Sequence, residues 1–211
     1  MLLDFERFPT SYALAMLAQE EYAKAFLLCL VDAGAVHWSA DVRRALKDHV
    51  CKQLLSVILD YLWPDTDEFL RRLNSPDTEP QIFPAHVLDA IHLICHERLP
   101  EQRRSWREPS EPLDPKVKAI AEGKMDRQKQ DAIYVGLGKT GQLCSRPTQI
   151  TKEWAQAQLE VSQRISSELR PYGRPPGLPD DLNSEKLITI FQLLTGRLSV
   201  EEFNTHWWAR R

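Results

Sequence analysis

A histidine, two lysines and two arginines lie close together between residues 43 and 52, and these residue types can act on a phosphate ester. His49 can accept and donate a proton near neutral pH, and Lys52 follows it three residues later, on the same face of a helix. Arg44 precedes His49 with four residues between them, and a guanidinium can bind a phosphate in a bidentate geometry. Two interpretations stay open here: a proton-transfer site beside a phosphate clamp, or a solvated helix flank that carries one histidine.

An acidic pair, Glu20-Glu21, interrupts an apolar segment and is followed one turn later by Lys24. At about 100° per residue, Glu21 shares a helix face with five apolar residues, namely Leu14, Leu17, Ala18, Ala25 and Leu28. The pattern therefore predicts that Glu21 is buried, which is costly unless the carboxylate is paired. Lys24 is within reach of either glutamate. We expect an ion pair that either only fixes the packing or positions a partner residue on the next helix.

These residues need helices to position them, and the pattern predicts two long ones. The first is expected from about residue 11 to 33, with Gly34 just past its end. The second is expected to start at the N-cap Ser39 and to end before Pro64, so that the two form an antiparallel helical hairpin. Further helices are predicted over about residues 67–73, 84–98, 115–131 and 151–169. Two short helices close the chain, the last with a capping box of Ser199 and Glu202.

The composition favours an all-α protein of ordinary globular character. The chain has 211 residues with only 8 glycines against 14 prolines, which leaves little material for hairpin turns or phosphate loops. The formal charge of −3 excludes a protein that coats nucleic acid indiscriminately. We expect one helical domain over residues 1–170, followed over residues 171–211 by a Pro-rich linker and a C-terminal helical appendage that packs on the same domain.

The compartment is expected to be the cytoplasm. The four cysteines are scattered and lack CxxC spacing, which is typical of reduced thiols. The N-terminus does not resemble a signal peptide, and residues 23–34, the most apolar stretch, are too short and too charged to span a membrane. We therefore expect no membrane association.

Two further motifs are weak. Residues 135–140, Val-Gly-Leu-Gly-Lys-Thr, resemble the end of a P-loop, but Ile133 stands where a Walker A motif needs glycine. His92 and His96 are spaced to share a helix face and could bind a metal, but no third ligand is evident in the sequence. We therefore predict neither a cofactor nor a metal.

Three short motifs, in the right order, resemble those of the AbiV family of abortive-infection proteins, over about residues 11–165. Residues 15–25, Ala-Met-Leu-Ala-Gln-Glu-Glu-Tyr-Ala-Lys-Ala, resemble the family's A-L-E-E-x-x-K-A signature. His49 and Lys52 resemble the histidine and lysine of the family's next helix. Residues 129–135, Lys-Gln-Asp-Ala-Ile-Tyr-Val, with Pro147 and a helix from Thr151, resemble its K…YVD…P segment, although Gly136 replaces the aspartate.

The resemblance implies a bacterial protein of phage defence with an all-α, HEPN-like helical bundle. Many HEPN proteins are dimeric, metal-independent ribonucleases with an Arg-x4–6-His motif, which Arg44 and His49 match. By this resemblance His49 acts as general acid or base at the ribose 2′-hydroxyl, and Arg44 stabilises charge on the phosphate. Glu21, Lys24 and Lys52 would complete the catalytic set.

Within the same resemblance, Arg43, Lys47 and Tyr134 are expected to contact RNA. HEPN proteins usually have a polar residue after the arginine, where this chain has Ala45, so Arg43 stays open as the functional arginine. The implied partners are RNA (tRNA, mRNA or rRNA), a second copy of the chain, and a phage protein trigger or an antitoxin. The alternative is a non-catalytic member of the family that binds a phage or host partner and stops phage production without cutting RNA.

Overall fold

The structure is a computed structural model, and its described part is mainly helical. It describes residues 6–64, 83–99, 112–134, 136–137, 139–140, 142–145, 150–168, 182–194, 198–199 and 201–202. The helices are α1 (Phe8–Asp32), α2 (Ala40–Ala45), α3 (His49–Leu62), α4 (Ala85–Leu93), α5 (Pro115–Ala121), α6 (Lys124–Ile133), α7 (Lys152–Glu168) and α8 (Leu182–Leu194), and a π-helical turn, Ile94–Arg98, continues α4. Strands β1 (Gly136–Leu137) and β2 (Leu143–Ser145) form a small antiparallel pair. The all-α prediction is confirmed.

Helix α1 ends where its sequence predicts. Gly34 adopts a positive φ of 71°, and its N–H donates to the carbonyl of Val31 at 3.0 Å while the N–H of Ala35 donates to the carbonyl of Leu30 at 2.8 Å. This is a Schellman motif, in which a left-handed residue after the helix satisfies its last carbonyls. The helix begins three residues earlier than expected, because Pro9 fits the first turn of a helix.

The second predicted helix is two helices, and the prediction of a single one is wrong. Helix α2 is capped by Ser39, whose hydroxyl accepts from the N–H of Val42 at 3.3 Å. The chain then becomes extended at Asp48, whose carboxylate accepts from the N–H groups of Val50 and Cys51 and so starts α3. Aspartate favours this N-cap role over a helix interior. His49 is therefore the first residue of α3.

The helix predicted over residues 115–131 is also divided. Gly123 lies between α5 and α6 and has a positive φ of 71°, a conformation that glycine adopts without the Cβ clash of other residues. Helix α6 carries Lys129, which contacts Glu20 of α1.

The main core lies between α1, α3 and α4, and α7 packs along α1. Ile190 and Phe191 of α8 also belong to this core. The predicted helix over 67–73, the Pro-rich segments at 100–111 and 171–179, and Trp207-Trp208 lie outside the described residues. Among the described helices, none is long and apolar enough to cross a membrane.

Candidate functional site

A buried carboxylate lies at the centre of the site, where α1, α3 and α6 meet. Glu20 of α1 is only 1% exposed. Its Oε1 atom is 2.5 Å from Lys129 Nζ, and its Oε2 atom is 2.8 Å from Lys52 Nζ and 2.7 Å from His49 Nδ1. The amide nitrogen of Gln53 donates to Oε1 at 3.3 Å. The carboxylate therefore has two cationic partners and two further donors, as a buried charge requires.

The spacing of these residues along α3 and α6 explains how their side chains meet. His49, Lys52 and Gln53 fall within one turn of α3, because the Asp48 cap starts that helix next to them. Asp126 and Lys129 are three residues apart on α6, and Lys129 Nζ contacts Asp126 Oδ1 at 2.9 Å. Lys129 is thus held between two carboxylates from different helices.

Electrostatics favour the charged forms of Glu20 and Lys129. Burial raises the pKa of Glu20, and this is the largest single influence, but hydrogen bonds from Lys129, Lys52 and His49 together outweigh it and lower the pKa below its ordinary value. Burial likewise opposes the charge on Lys129, while the hydrogen bonds to Glu20 and Asp126 raise the pKa of Lys129. Two lysines and two carboxylates therefore balance in charge beside the imidazole.

His49 connects this buried cluster to the surface. Its side chain is 48% exposed, while its Nδ1 atom faces Glu20. An ionised carboxylate can only accept hydrogen bonds, so the 2.7 Å contact is a hydrogen bond in the tautomer that carries its proton on Nδ1. The neighbouring ammonium groups of Lys52 and Lys129 lie 3.2 and 3.0 Å from the same nitrogen. In this tautomer Nε2 has a free lone pair and can exchange a proton with a ligand.

A metal ion is a weaker fit for this cluster. One donor atom each of Glu20, His49 and Asp126 lie within 4.8 Å of one another. However, the ammonium groups of Lys52 and Lys129 already contact these carboxylates, and a divalent cation placed among them would be repelled. The described donor set therefore suits proton transfer better than metal binding.

A cavity of about 60 Å³ adjoins Glu20 and is lined by residues of α1, α3, α5, α6 and α7. Gln19, Gln53 and Ser56 contribute to its lining, and the buried Oε1 atom of Gln53 has no hydrogen-bond partner among the described residues. The volume is large enough for a few water molecules, and the Gln53 Oε1 atom offers one of them a hydrogen-bond acceptor.

The expected burial of Glu21 is wrong. Glu21 and Lys24 contact each other at 2.5 Å on the outer side of α1, and Glu21 is exposed. Because α1 is apolar on nearly all sides, its periodicity fits more than one orientation. Packing against α3, α6 and α7 buries the face of Glu20 instead.

We call Glu20, His49, Lys52, Gln53, Asp126 and Lys129 the Glu20 cluster. The predicted cationic residues on α2 and just after it lie outside this cluster. The guanidinium of Arg44 contacts Asp41 at 2.9 Å, and Arg43 and Lys47 are exposed. The extended residue Asp48 separates these three from His49. Tyr134, the other predicted RNA contact, is exposed directly after α6. The structure thus brings His49 and Lys52 together but places Arg44, Glu21 and Lys24 apart from them.

Four residues of the cluster were missing from the predicted site: Glu20, Gln53, Asp126 and Lys129. Lys129 is the first residue of the third sequence motif, and this position could have identified it as a site residue. Asp126 precedes Lys129 by about one helical turn. Glu20 and Glu21 differ only in the side of α1 that they occupy. The local apolar periodicity does not determine which of the two faces inward.

One comparison with known proteins gave a match. The family model HEPN_AbiV, described as AbiV, matches residues 1–167, which include every residue of the Glu20 cluster. This confirms the resemblance seen in the sequence motifs. A search of curated proteins and a search of solved structures each gave no match.

Proposed function

Because the chain belongs to the AbiV family of HEPN proteins, we propose that it is an RNA-cleaving effector of abortive infection. The family membership supports a role in abortive-infection defence. The observation that carries the RNA-cleavage proposal is the environment of His49, whose Nδ1 is bound to the buried Glu20 while the ring remains about half exposed.

The proposed reaction is an internal transesterification of RNA. His49 Nε2 removes the proton of a ribose 2′-hydroxyl, and the 2′-oxygen attacks the adjacent phosphorus. The bond from phosphorus to the 5′-oxygen breaks, a proton is transferred to that oxygen, and the products are a 2′,3′-cyclic phosphate and a 5′-hydroxyl end. The carboxylate of Glu20 stabilises the imidazolium formed at His49. Lys52 and Lys129 act as positioning residues, because they hold Glu20.

The RNA backbone would lie along the cationic side of α2. Arg43, Arg44 and Lys47 offer three exposed cations just before His49, and such groups bind phosphates without reading sequence. Arg44 would exchange Asp41 for a phosphate oxygen. Tyr134 offers an exposed ring on which an unpaired base can stack.

The test is RNA cleavage by the wild-type chain and by His49→Ala, in the presence of a chelator. We expect the wild type to cleave and the variant to lose at least about a hundredfold in rate, the usual share of a general acid or base. His37→Ala, a substitution of another exposed histidine, serves as the matched control and should cleave normally. Equal rates for wild type and His49→Ala, or no cleavage by the wild type, would reject the proposal.

The second candidate is a non-catalytic effector that binds a phage or host protein. It is favoured by the contact of Arg44 with Asp41, which leaves His49 without an arginine neighbour among its described contacts. Cells that carry His49→Ala and still resist phage as well as wild type would support this alternative.

A further inference from the structure

Two kinds of hydrogen bond compete for the Nδ1 atom of His49. Glu20 Oε2 lies 2.7 Å from it and can only accept, whereas the ammonium groups of Lys129 and Lys52 lie 3.0 and 3.2 Å away and can only donate. If Nδ1 carries the proton, it donates to Glu20 and leaves the lone pair of Nε2 free. If a lysine donates to Nδ1 instead, the proton of the neutral ring is on Nε2, and that atom cannot act as a base.

Asp126 faces the same nitrogen from α6. Its buried Oδ1 atom lies 2.9 Å from Lys129 Nζ and 3.9 Å from His49 Nδ1. Its other oxygen, Oδ2, accepts a hydrogen bond from the side-chain amide of Gln130 at 2.8 Å, which directs Oδ1 towards the cluster. Asp126 therefore adds a second negative group beside the imidazole, and this group contacts one of the two competing lysines.

We propose that Asp126 is a positioning residue that holds neutral His49 in the tautomer with its proton on Nδ1. Glu20 Oε1 and Asp126 Oδ1 lie 2.5 and 2.9 Å from Lys129 Nζ. Both are charged acceptors, so the ammonium protons of Lys129 are donated to them in preference to the neutral Nδ1 at 3.0 Å. Nδ1 then keeps its own proton and donates it to Glu20.

The inference rests on the proposed function, because the tautomer matters for cleavage only if Nε2 of His49 is the base. A purely structural role of Asp126 is the alternative: it is an acidic residue in the first turn of α6, where a negative charge stabilises a helix. Such a role would leave the tautomer of His49 unchanged. The two roles therefore differ in a quantity that can be measured without RNA.

The test measures the ring nitrogen chemical shifts of His49 by NMR at about pH 8, where a histidine is ordinarily neutral, and His49→Ala identifies the signals. Wild type should show a protonated Nδ1 and an unprotonated Nε2. Asp126→Asn keeps the shape but removes the charge, so Lys129 should donate to Nδ1 and the Nε2–H tautomer should become the major form. Asp131→Asn, at a half-buried position on another side of α6, is the matched control and should give the wild-type signals.

A double variant assigns the effect to Lys129. Asp126→Asn/Lys129→Met removes one carboxylate and one ammonium together, so Glu20 and Lys52 still balance in charge, and the Nδ1–H tautomer should return. Lys52 is the same in every variant and therefore does not account for a difference between them. Thermal unfolding would verify that each variant is folded. A wild type with its proton on Nε2 overturns the proposal, as does an Asp126→Asn variant with the wild-type tautomer or a double variant that keeps the proton on Nε2.

RNA cleavage separates this inference from the proposed function. If the wild type cleaves RNA, Asp126→Asn should lower kcat at least about tenfold with little change in KM, because the other tautomer removes the base but not the binding contacts. A swapped tautomer with an unchanged kcat overturns the positioning role. A wild type that cleaves no RNA rejects the proposed function, whereas the chemical shifts still decide whether Asp126 sets the tautomer.

Discussion

At the scale of single residues, Glu20 and Glu21 show how neighbours in sequence acquire opposite roles. Glu20 contacts Lys129, Lys52 and His49 in the interior, whereas Glu21 contacts only Lys24 among its described ion pairs. The sequence indicated an ion-paired glutamate on this helix, because carboxylates in apolar segments need partners. It could not indicate which glutamate, since the partners come from α3 and α6.

Removing the charge of Glu20 should destabilise the fold strongly. Glu20→Gln leaves Lys52 and Lys129 buried without their shared carboxylate, and losing one partner of a buried ion pair costs about 3–5 kcal/mol. Urea unfolding in dilute solution would measure the loss. The matched control is Glu21→Gln, which should stay within about 0.5 kcal/mol of wild type because that side chain is exposed. Equal effects of the two substitutions would contradict the assigned orientation of α1.

The same carboxylate predicts how stability depends on pH. The pKa of Glu20 is lower in the folded chain than its ordinary value of 4.5, so the unfolded state binds its proton first as the pH falls. The stabilisation by Glu20 is therefore complete above about pH 4.5 and is lost as the pH falls through the folded pKa. Unfolding free energies measured from pH 6 to about pH 3 should fall more steeply for wild type than for Glu20→Gln.

At the scale of secondary-structure elements, capping residues in the local sequence predicted the helix ends well. Gly34, Ser39 and the pair Ser199–Glu202 all have the predicted capping roles. The predictions were wrong where one apolar periodicity continues across a break, as at Asp48 and Gly123. The orientation of α1 was also wrong, because it depends on which helices pack against it.

The break at Asp48 positions His49, so its cap should matter for both stability and function. Asp48→Ala removes the acceptor for the N–H groups of Val50 and Cys51 and the contact with Arg98 at 3.0 Å. Loss of an N-cap costs about 1 kcal/mol, and His49 in the first turn would lose its fixed position. We expect lower thermal stability and slower RNA cleavage. Asp48→Asn retains a capping side chain and should recover most of both, whereas a purely electrostatic role of Asp48 predicts no recovery.

At the scale of the whole molecule, the described part of the C-terminal region packs into the same core as α1, α3 and α4. Phe191 is fully buried and Ile190 nearly so, and both belong to the main core. The family model ends at residue 167, so these two core residues lie beyond the matched segment. The helices that hold Glu20 and His49 should therefore depend on α8.

This dependence predicts one cooperative unfolding transition for the full chain. Phe191→Ala leaves a large cavity in the core, and such a change costs about 3–5 kcal/mol. Calorimetry should show a single transition at a lower temperature, because α8 and the helices that bear Glu20 and His49 would unfold together. Phe8→Ala, at a partly exposed position at the start of α1, should have a smaller effect. If Phe191→Ala instead leaves the main transition unchanged and only removes a minor one, α8 is a separate unit and the cluster around Glu20 is stable without it.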